Sequence, residues 1–141
     1  PFLEILKELG FDPYTQAVSC PQYGGYGGAM GPAQFIPSTW MLMRSRIAEA
    51  TRKQVPNPWN PEDAFMAAAL YLKDLGAGTG DWTNERTAAC KYNSGKTCYR
   101  TVYNSKTGKY ETLANPGLVY GNNVMENADI IQRDIDFLQD V

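Results

Sequence analysis

Gly27-Gly28-Ala29-Met30-Gly31-Pro32-Ala33-Gln34-Phe35-Ile36-Pro37-Ser38-Thr39-Trp40 sets a glycine-flanked turn directly against a helix start. Gly28 and Gly31 tolerate dihedrals closed to other residues and let backbone approach a ligand closely. Taken alone, the same glycines read equally well as an ordinary tight turn. Pro37 suits a first helical position, where no N–H partner is needed. The spacing predicts a helix through Trp40, Leu42, Met43, Ile47 and Ala50, with Arg and Lys near its end complementing the dipole. Asn57-Pro58-Trp59-Asn60-Pro61 then breaks it.

Outward from this stretch, the chain reads as mostly helical. Phe2 to Leu9 carries apolar groups at helical spacing, with Gly10 where a C-terminal cap belongs. Phe11 to Gly31 is rich in Gly, Pro, Tyr and Ser and reads as loop, and the run from Tyr23 to Gly28 is glycine-dense enough to be mobile. Asn60-Pro61-Glu62-Asp63 combines an N-cap amide, a first-turn proline and two helix-start acids. The residues from Ala64 to Leu75 are apolar nearly all round, which predicts a buried central helix ended by Gly76. A shorter helix is expected over Asn84 to Lys91, with Glu85 in its first turn. Tyr99 to Tyr103 and Lys109 to Leu113 flank a turn-rich segment and predict a small hairpin. A last helix from Asn123 to Leu138 is expected to bury Val124, Ala128, Ile131, Ile135 and Leu138 and to leave Asp129, Asp134 and Asp136 solvated. The expected fold class is mainly α, a single helical domain with a small β-hairpin.

Composition removes several functions. With 141 residues, 43% of them hydrophobic, the chain supports one domain with a real core but not two ordinary ones. A formal net charge of -2 leaves no general basic surface for nucleic acid. No apolar run is long enough to span a bilayer, and no charged-then-apolar signal opens the chain. The chain starts at Pro1, which leads to the expectation that preceding sequence has been removed. There is no His at all. That excludes Ser–His and Cys–His nucleophiles and most zinc sites, so chemistry falls to carboxylates, Tyr, Lys or Cys. Cys20, Cys90 and Cys98 match no metal spacing. Cys90 and Cys98 enclose a short loop that a disulfide can staple in an oxidising compartment, constraining the unfolded chain by roughly 2–3 kcal/mol. Cys20 is left over, either as a buried thiol or with a partner upstream of Pro1. Aromatics make up 12% of the chain, and Tyr and Trp suit sugar rings as well as an ordinary core.

Three segments together resemble the signature of the lytic transglycosylases. Gly28-Ala29-Met30-Gly31 followed by Gln34 and Pro37-Ser38 is similar to their central motif, and the Gln-Phe-Ile-Pro-Ser form is closest to the membrane-bound transglycosylase B branch. Pro58-Trp59-Asn60-Pro61-Glu62-Asp63-Ala64 resembles that group's helix start. Ala89-Cys90-Lys91-Tyr92-Asn93-Ser94-Gly95 resembles the element lining its sugar cleft, with a weaker match at Tyr120-Gly121-Asn122-Asn123-Val124. The resemblance implies a lysozyme-like α+β domain over residues 1–141, truncated at its N-terminus, that binds peptidoglycan glycan strands. The substrate-binding residues it implies are Gly28, Ala29, Met30, Gly31, Gln34, Tyr92, Asn93 and Tyr120, converging on one groove. Met30 would give a soft apolar surface. Gln34 and Asn93 would each give an amide that donates and accepts. The alternative for Gln34 is an amide holding two loops together, and for Tyr92-Asn93 an ordinary helix end.

The reaction implied is cleavage of the β-1,4 bond between N-acetylmuramic acid and N-acetylglucosamine, giving a 1,6-anhydro product. One Glu acts as acid and then base, and no metal or organic cofactor is called for. Glu8 is the candidate acid within the chain, because Glu8-Leu9-Gly10-Phe11-Asp12-Pro13 imitates the acid-bearing segment of one branch. Leu9 replaces that branch's Ser, however, and Gly28 follows at a greater distance. In the transglycosylase B branch the acid lies several dozen residues earlier, which would put it before Pro1. A solvated charge near Glu4 and Lys7 is the remaining reading of Glu8. Two further functions stay open: a catalytically silent glycan-binding or assembly module, and a lysozyme-type hydrolase. The implied substrate and the possible disulfide point to the cell envelope.

Overall fold

Helix α1 (Phe2–Leu9) forms where the periodicity predicts and buries Ile5 and Leu6. Gly10 terminates it at φ 69, with the Phe11 N–H reaching back to the Leu6 carbonyl at 2.9 Å. In this computed structural model, residues 1–21 and 27–139 are described. The glycine-dense run expected to be mobile lies, from Tyr23 to Tyr26, outside them. The chain divides into two compact units, Pro1–Tyr71 and Leu72–Val141.

The first unit packs α1 against α2 (Pro37–Thr51), with Pro37 in the first turn. Trp40, Met43 and Ile47 recur at helical spacing and point inward, joined by Met30 and Phe35. The Phe35 ring stands edge-on to Trp40, 5.8 Å between centroids, and tilted to Tyr71 at the same separation. Leu42 and Ala50 face outward. The basic pair at the end of α2 lies beyond its last turn: Arg52 is the left-handed cap at φ 56, and Lys53 follows it. Helix α3 (Pro61–Asp74) opens as its sequence predicts, with the Asn60 side chain accepting from the Asp63 N–H at 3.2 Å. It is not buried all round. Only Asp63, Ala64 and Ala67 are buried, and Phe65 is 62% exposed.

The second unit holds α4 (Trp82–Ser94), the antiparallel hairpin β1 (Tyr99–Asn104) and β2 (Lys109–Ala114), and α5 (Leu118–Gln139). Helix α4 is longer than expected because Asp81 caps it, accepting from the Asn84 N–H at 2.9 Å, while Gly95 closes it in the left-handed region. Cys90 and Cys98 form the anticipated disulfide. Cys20 is exposed, which removes the buried-thiol reading. Helix α5 begins at Leu118, before the expected Asn123, and its burial is confined to Gly121 and Met125. Ala128, Ile131, Ile135 and Leu138 are exposed, against expectation, and Val124 is half-buried. Gly117 and Gly121 explain where burial concentrates. A Cβ on Gly117 would lie 2.6 Å from the Cys90 carbonyl oxygen, and one on Gly121 2.5 Å from the Cys90 sulfur. The fold is mainly α with a small β-hairpin, as the sequence predicts.

Candidate functional site

In the first unit the motif turn is built from backbone outward. Ser19 and Ala29 pair through the Ser19 N–H and the Ala29 carbonyl at 2.9 Å, and the Gly28 N–H donates to the Ser19 carbonyl at 2.8 Å. The Ser19 hydroxyl oxygen also accepts from the Ala29 N–H at 3.0 Å. Met30 bridges to Val18 on one side and Phe35 on the other. Its side chain is fully buried, so Met30 anchors the turn from beneath and offers no surface to a ligand. Gly28 takes φ 89 with open space around it, whereas Gly31 at φ 62 lies against Pro58 backbone.

Gln34 is the unusual residue. It is exposed and holds φ 56, a left-handed conformation uncommon for a residue with a Cβ. Its Nε2 donates to the Gly31 carbonyl at 2.8 Å, fixing the amide across its own turn. Pro58-Trp59 is tied in as well, since the Trp59 indole N–H donates to the Ala17 carbonyl at 2.7 Å.

Beside α1 and α2 lies a groove of about 520 Å³ lined by Glu8, Arg44, Ser45, Ala48, Gln54 and Val55. One guanidinium nitrogen of Arg44 bridges both Glu8 carboxylate oxygens, at 2.6 and 2.7 Å. The sequence reading did not single out Arg44; only its place on the helix face beside α1 marks it. Asp63 was read there as a helix-start acid, but it is buried and accepts from Lys53 at 2.5 Å and from the Asn57 N–H at 2.8 Å. The Asp63 and Glu62 carboxylates raise the Lys53 ammonium above its ordinary value, Asp63 foremost.

In the second unit Tyr92 and Asn93 sit in the last turn of α4, half-buried and exposed respectively, inside the loop that the disulfide closes. Tyr120 lies in the first turn of α5 and is 39% exposed. Glu85 accepts backbone N–H groups from Gly78, Thr79 and Gly80, which holds its carboxyl below its usual range, the Gly78 bond contributing most. Among the described residues, no three His, Cys, Asp or Glu side chains are grouped to hold a metal. Likewise, no helix among them is long and apolar enough to cross a membrane.

Residues 2–133 match the transglycosylase SLT domain family. The chain belongs to that family. Transglycosylase SLT domains act on peptidoglycan, so the substrate class and the cell-wall setting follow from membership. The match runs through the Gly28–Gln34 turn, the Pro58–Ala64 helix start and the Tyr92-Asn93 segment, the three stretches on which the resemblance rests. No curated protein and no solved structure matches the chain significantly.

Proposed function

We propose that this domain is a lytic transglycosylase of the membrane-bound transglycosylase B type. It cuts the bond between N-acetylmuramic acid and N-acetylglucosamine and leaves a 1,6-anhydro end. Gly28, Ala29, Gly31, Gln34, Tyr92, Asn93 and Tyr120 contact the glycan strand, with Met30 buttressing the turn. The observation that carries this reading is Gln34, held exposed in a left-handed conformation by its own amide. Backbone strain of this kind collects at functional sites, and here it sits in the turn that the resemblance assigns to the glycan.

In the reaction a carboxylic acid gives its proton to the glycosidic oxygen as the C1–O bond breaks. The resulting carboxylate accepts the proton of the muramoyl C6 hydroxyl, whose oxygen closes on C1. No water is consumed and the carboxyl returns to its starting form. Glu8 is the proposed acid within the chain, since it lines a groove wide enough for a sugar.

The Arg44 contact favours a second reading, a glycan-binding module that does not cut. Both Glu8 carboxylate oxygens are engaged by the Arg44 guanidinium, so a glycosidic oxygen reaches them only if Arg44 moves aside. Incubation with purified murein sacculi, followed by mass spectrometry of the soluble products, separates the readings. Anhydro ends support the transglycosylase, reducing ends identify a hydrolase, and binding without release identifies a module. Glu8→Gln abolishes release if Glu8 is the acid; full retained release places the acid elsewhere.

A further inference from the structure

We infer that Arg44 determines specificity in the groove beside α1 and α2: it pairs with a carboxylate carried by the muramoyl residue and in doing so releases Glu8. This rests on the reading that the groove takes the glycan strand. The class of ligand is written in the site, because a carboxylate already occupies the guanidinium. Glu8 accepts from Arg44 at 2.6 and 2.7 Å, and the two side chains are only partly covered, Arg44 35% and Glu8 34% exposed. A guanidinium holds a carboxylate best as a fork, one nitrogen to each oxygen. Here Nη1 serves both oxygens and also meets the Met41 sulfur at 3.9 Å. Nη2 and Nε therefore donate to nothing among the described residues.

An ion pair that merely tied α1 to α2 would account for the Glu8 contact. It does not account for a guanidinium with two unused nitrogens in the lining of a groove of about 520 Å³. Part-exposed pairs are also exchangeable, since solvent and salt weaken their hold. Among the described residues of the lining, only Glu8 and Arg44 are charged. Ser45 and Gln54 add a hydroxyl and an amide, and Ala48 and Val55 add apolar contact. Those four serve any N-acetylated sugar, whereas Arg44 serves a carboxylate. A second carboxylate arriving at Arg44 competes with Glu8 for one cation and repels it. Glu8 is then uncovered, and its oxygens come within reach of the glycosidic oxygen. A muramoyl glycan differs from an N-acetylglucosamine polymer in its lactyl ether, which is either a free carboxylate or the root of a carboxylate-bearing peptide stem. Arg44 distinguishes the two polymers by that charge.

Isothermal titration with three soluble ligands of equal glycan length tests the assignment: a muropeptide with its stem, a stem-free muramoyl oligosaccharide and an N-acetylglucosamine oligomer. The wild type is expected to bind at least one muramoyl ligand about fivefold tighter than the N-acetylglucosamine oligomer, with the gap closing at high salt. Preference for the stem-free ligand identifies the lactyl carboxylate, and preference for the muropeptide identifies those of the stem. Arg44→Gln removes the preference, and Arg44→Lys keeps part of it. Glu8→Gln acts in the opposite direction. With the internal competitor gone, the preferred muramoyl ligand gains severalfold over the N-acetylglucosamine oligomer. A purely structural pair gives no such gain, so this variant remains informative if Arg44→Gln loosens α1. Equal binding of all three ligands by the wild type, a preference that survives Arg44→Gln, or no gain in Glu8→Gln overturns the role of Arg44 while the glycan site stands. If the wild type binds none of the three, the glycan reading of the groove falls with it.

Discussion

Gly31 and Pro58 touch through bare backbone: a Cβ on Gly31 would sit 1.8 Å from the Pro58 carbonyl oxygen. Two segments far apart in sequence, the glycine turn and the Pro-Trp-Asn-Pro helix start, are thereby required together. The glycine serves this internal contact more than the approach of a ligand. Gly31→Ala meets both the clash and the φ of 62, and it is expected to cost about 3 kcal/mol or more. Gly28→Ala meets only the dihedral penalty, roughly 1–2 kcal/mol. Urea denaturation of the two variants checks the order, and equal losses would show that the Pro58 contact relaxes freely.

The buried carboxylate of Asp63 joins the cap of α2 to the start of α3 through Lys53. Asp63→Asn is expected to lower the melting temperature more than Glu62→Gln, because Glu62 is exposed. The Lys53 ammonium is raised above 10.5 in the folded chain. Its contribution is therefore complete below that value and is lost as pH rises through the folded value. Lys53→Gln flattens the alkaline arm of a stability-versus-pH curve; an unchanged arm would contradict the assignment.

Glu85 gathers the Gly78–Gly80 amides onto one carboxylate, and its folded value lies below 4.5. That contribution is complete above 4.5 and is lost as pH falls through the folded value. Glu85→Gln is expected to speed amide hydrogen exchange at Gly78, Thr79 and Gly80 while leaving α5 protection intact. Unchanged exchange at those three amides would refute the latch.

The Cys90–Cys98 bond constrains a short loop and packs against Gly121. Replacing both cysteines by serine is expected to cost about 2–3 kcal/mol. Gly121→Ala is destabilising in the oxidised protein because its methyl meets the Cys90 sulfur. Denaturation with and without reductant measures both; an oxidised Gly121→Ala as stable as wild type would remove the packing argument.

Local signals were legible where a residue's own chemistry settles its neighbourhood. Gly10 marks a helix end, Pro37 and Asn60-Pro61 mark starts, and the turn-rich tip marks the hairpin. The Arg52 cap carries no such signal, since a left-handed arginine looks like any helical one in sequence. Burial was the harder part. Helix α3 is apolar all round yet leaves Phe65 outside, and α5 places Ile131 and Leu138 in solvent, because periodicity reports a face without saying what covers it. The same limit applies to the site. Met30 reads as a surface residue until its two bridges draw it inside. Asp63 reads as a dipole acid until Lys53 is seen against it.

The most direct test of the glycan site is an amide NMR titration with a soluble anhydro-muropeptide or N-acetylglucosamine oligomer. Progressive shifts at Gly28, Ala29, Gly31 and Gln34, together with Tyr92 and Asn93, are expected, and Gln34→Ala should weaken the titration by about 1 kcal/mol or more. Saturable binding that leaves those amides unmoved, or that survives Gln34→Ala at full strength, would contradict the account.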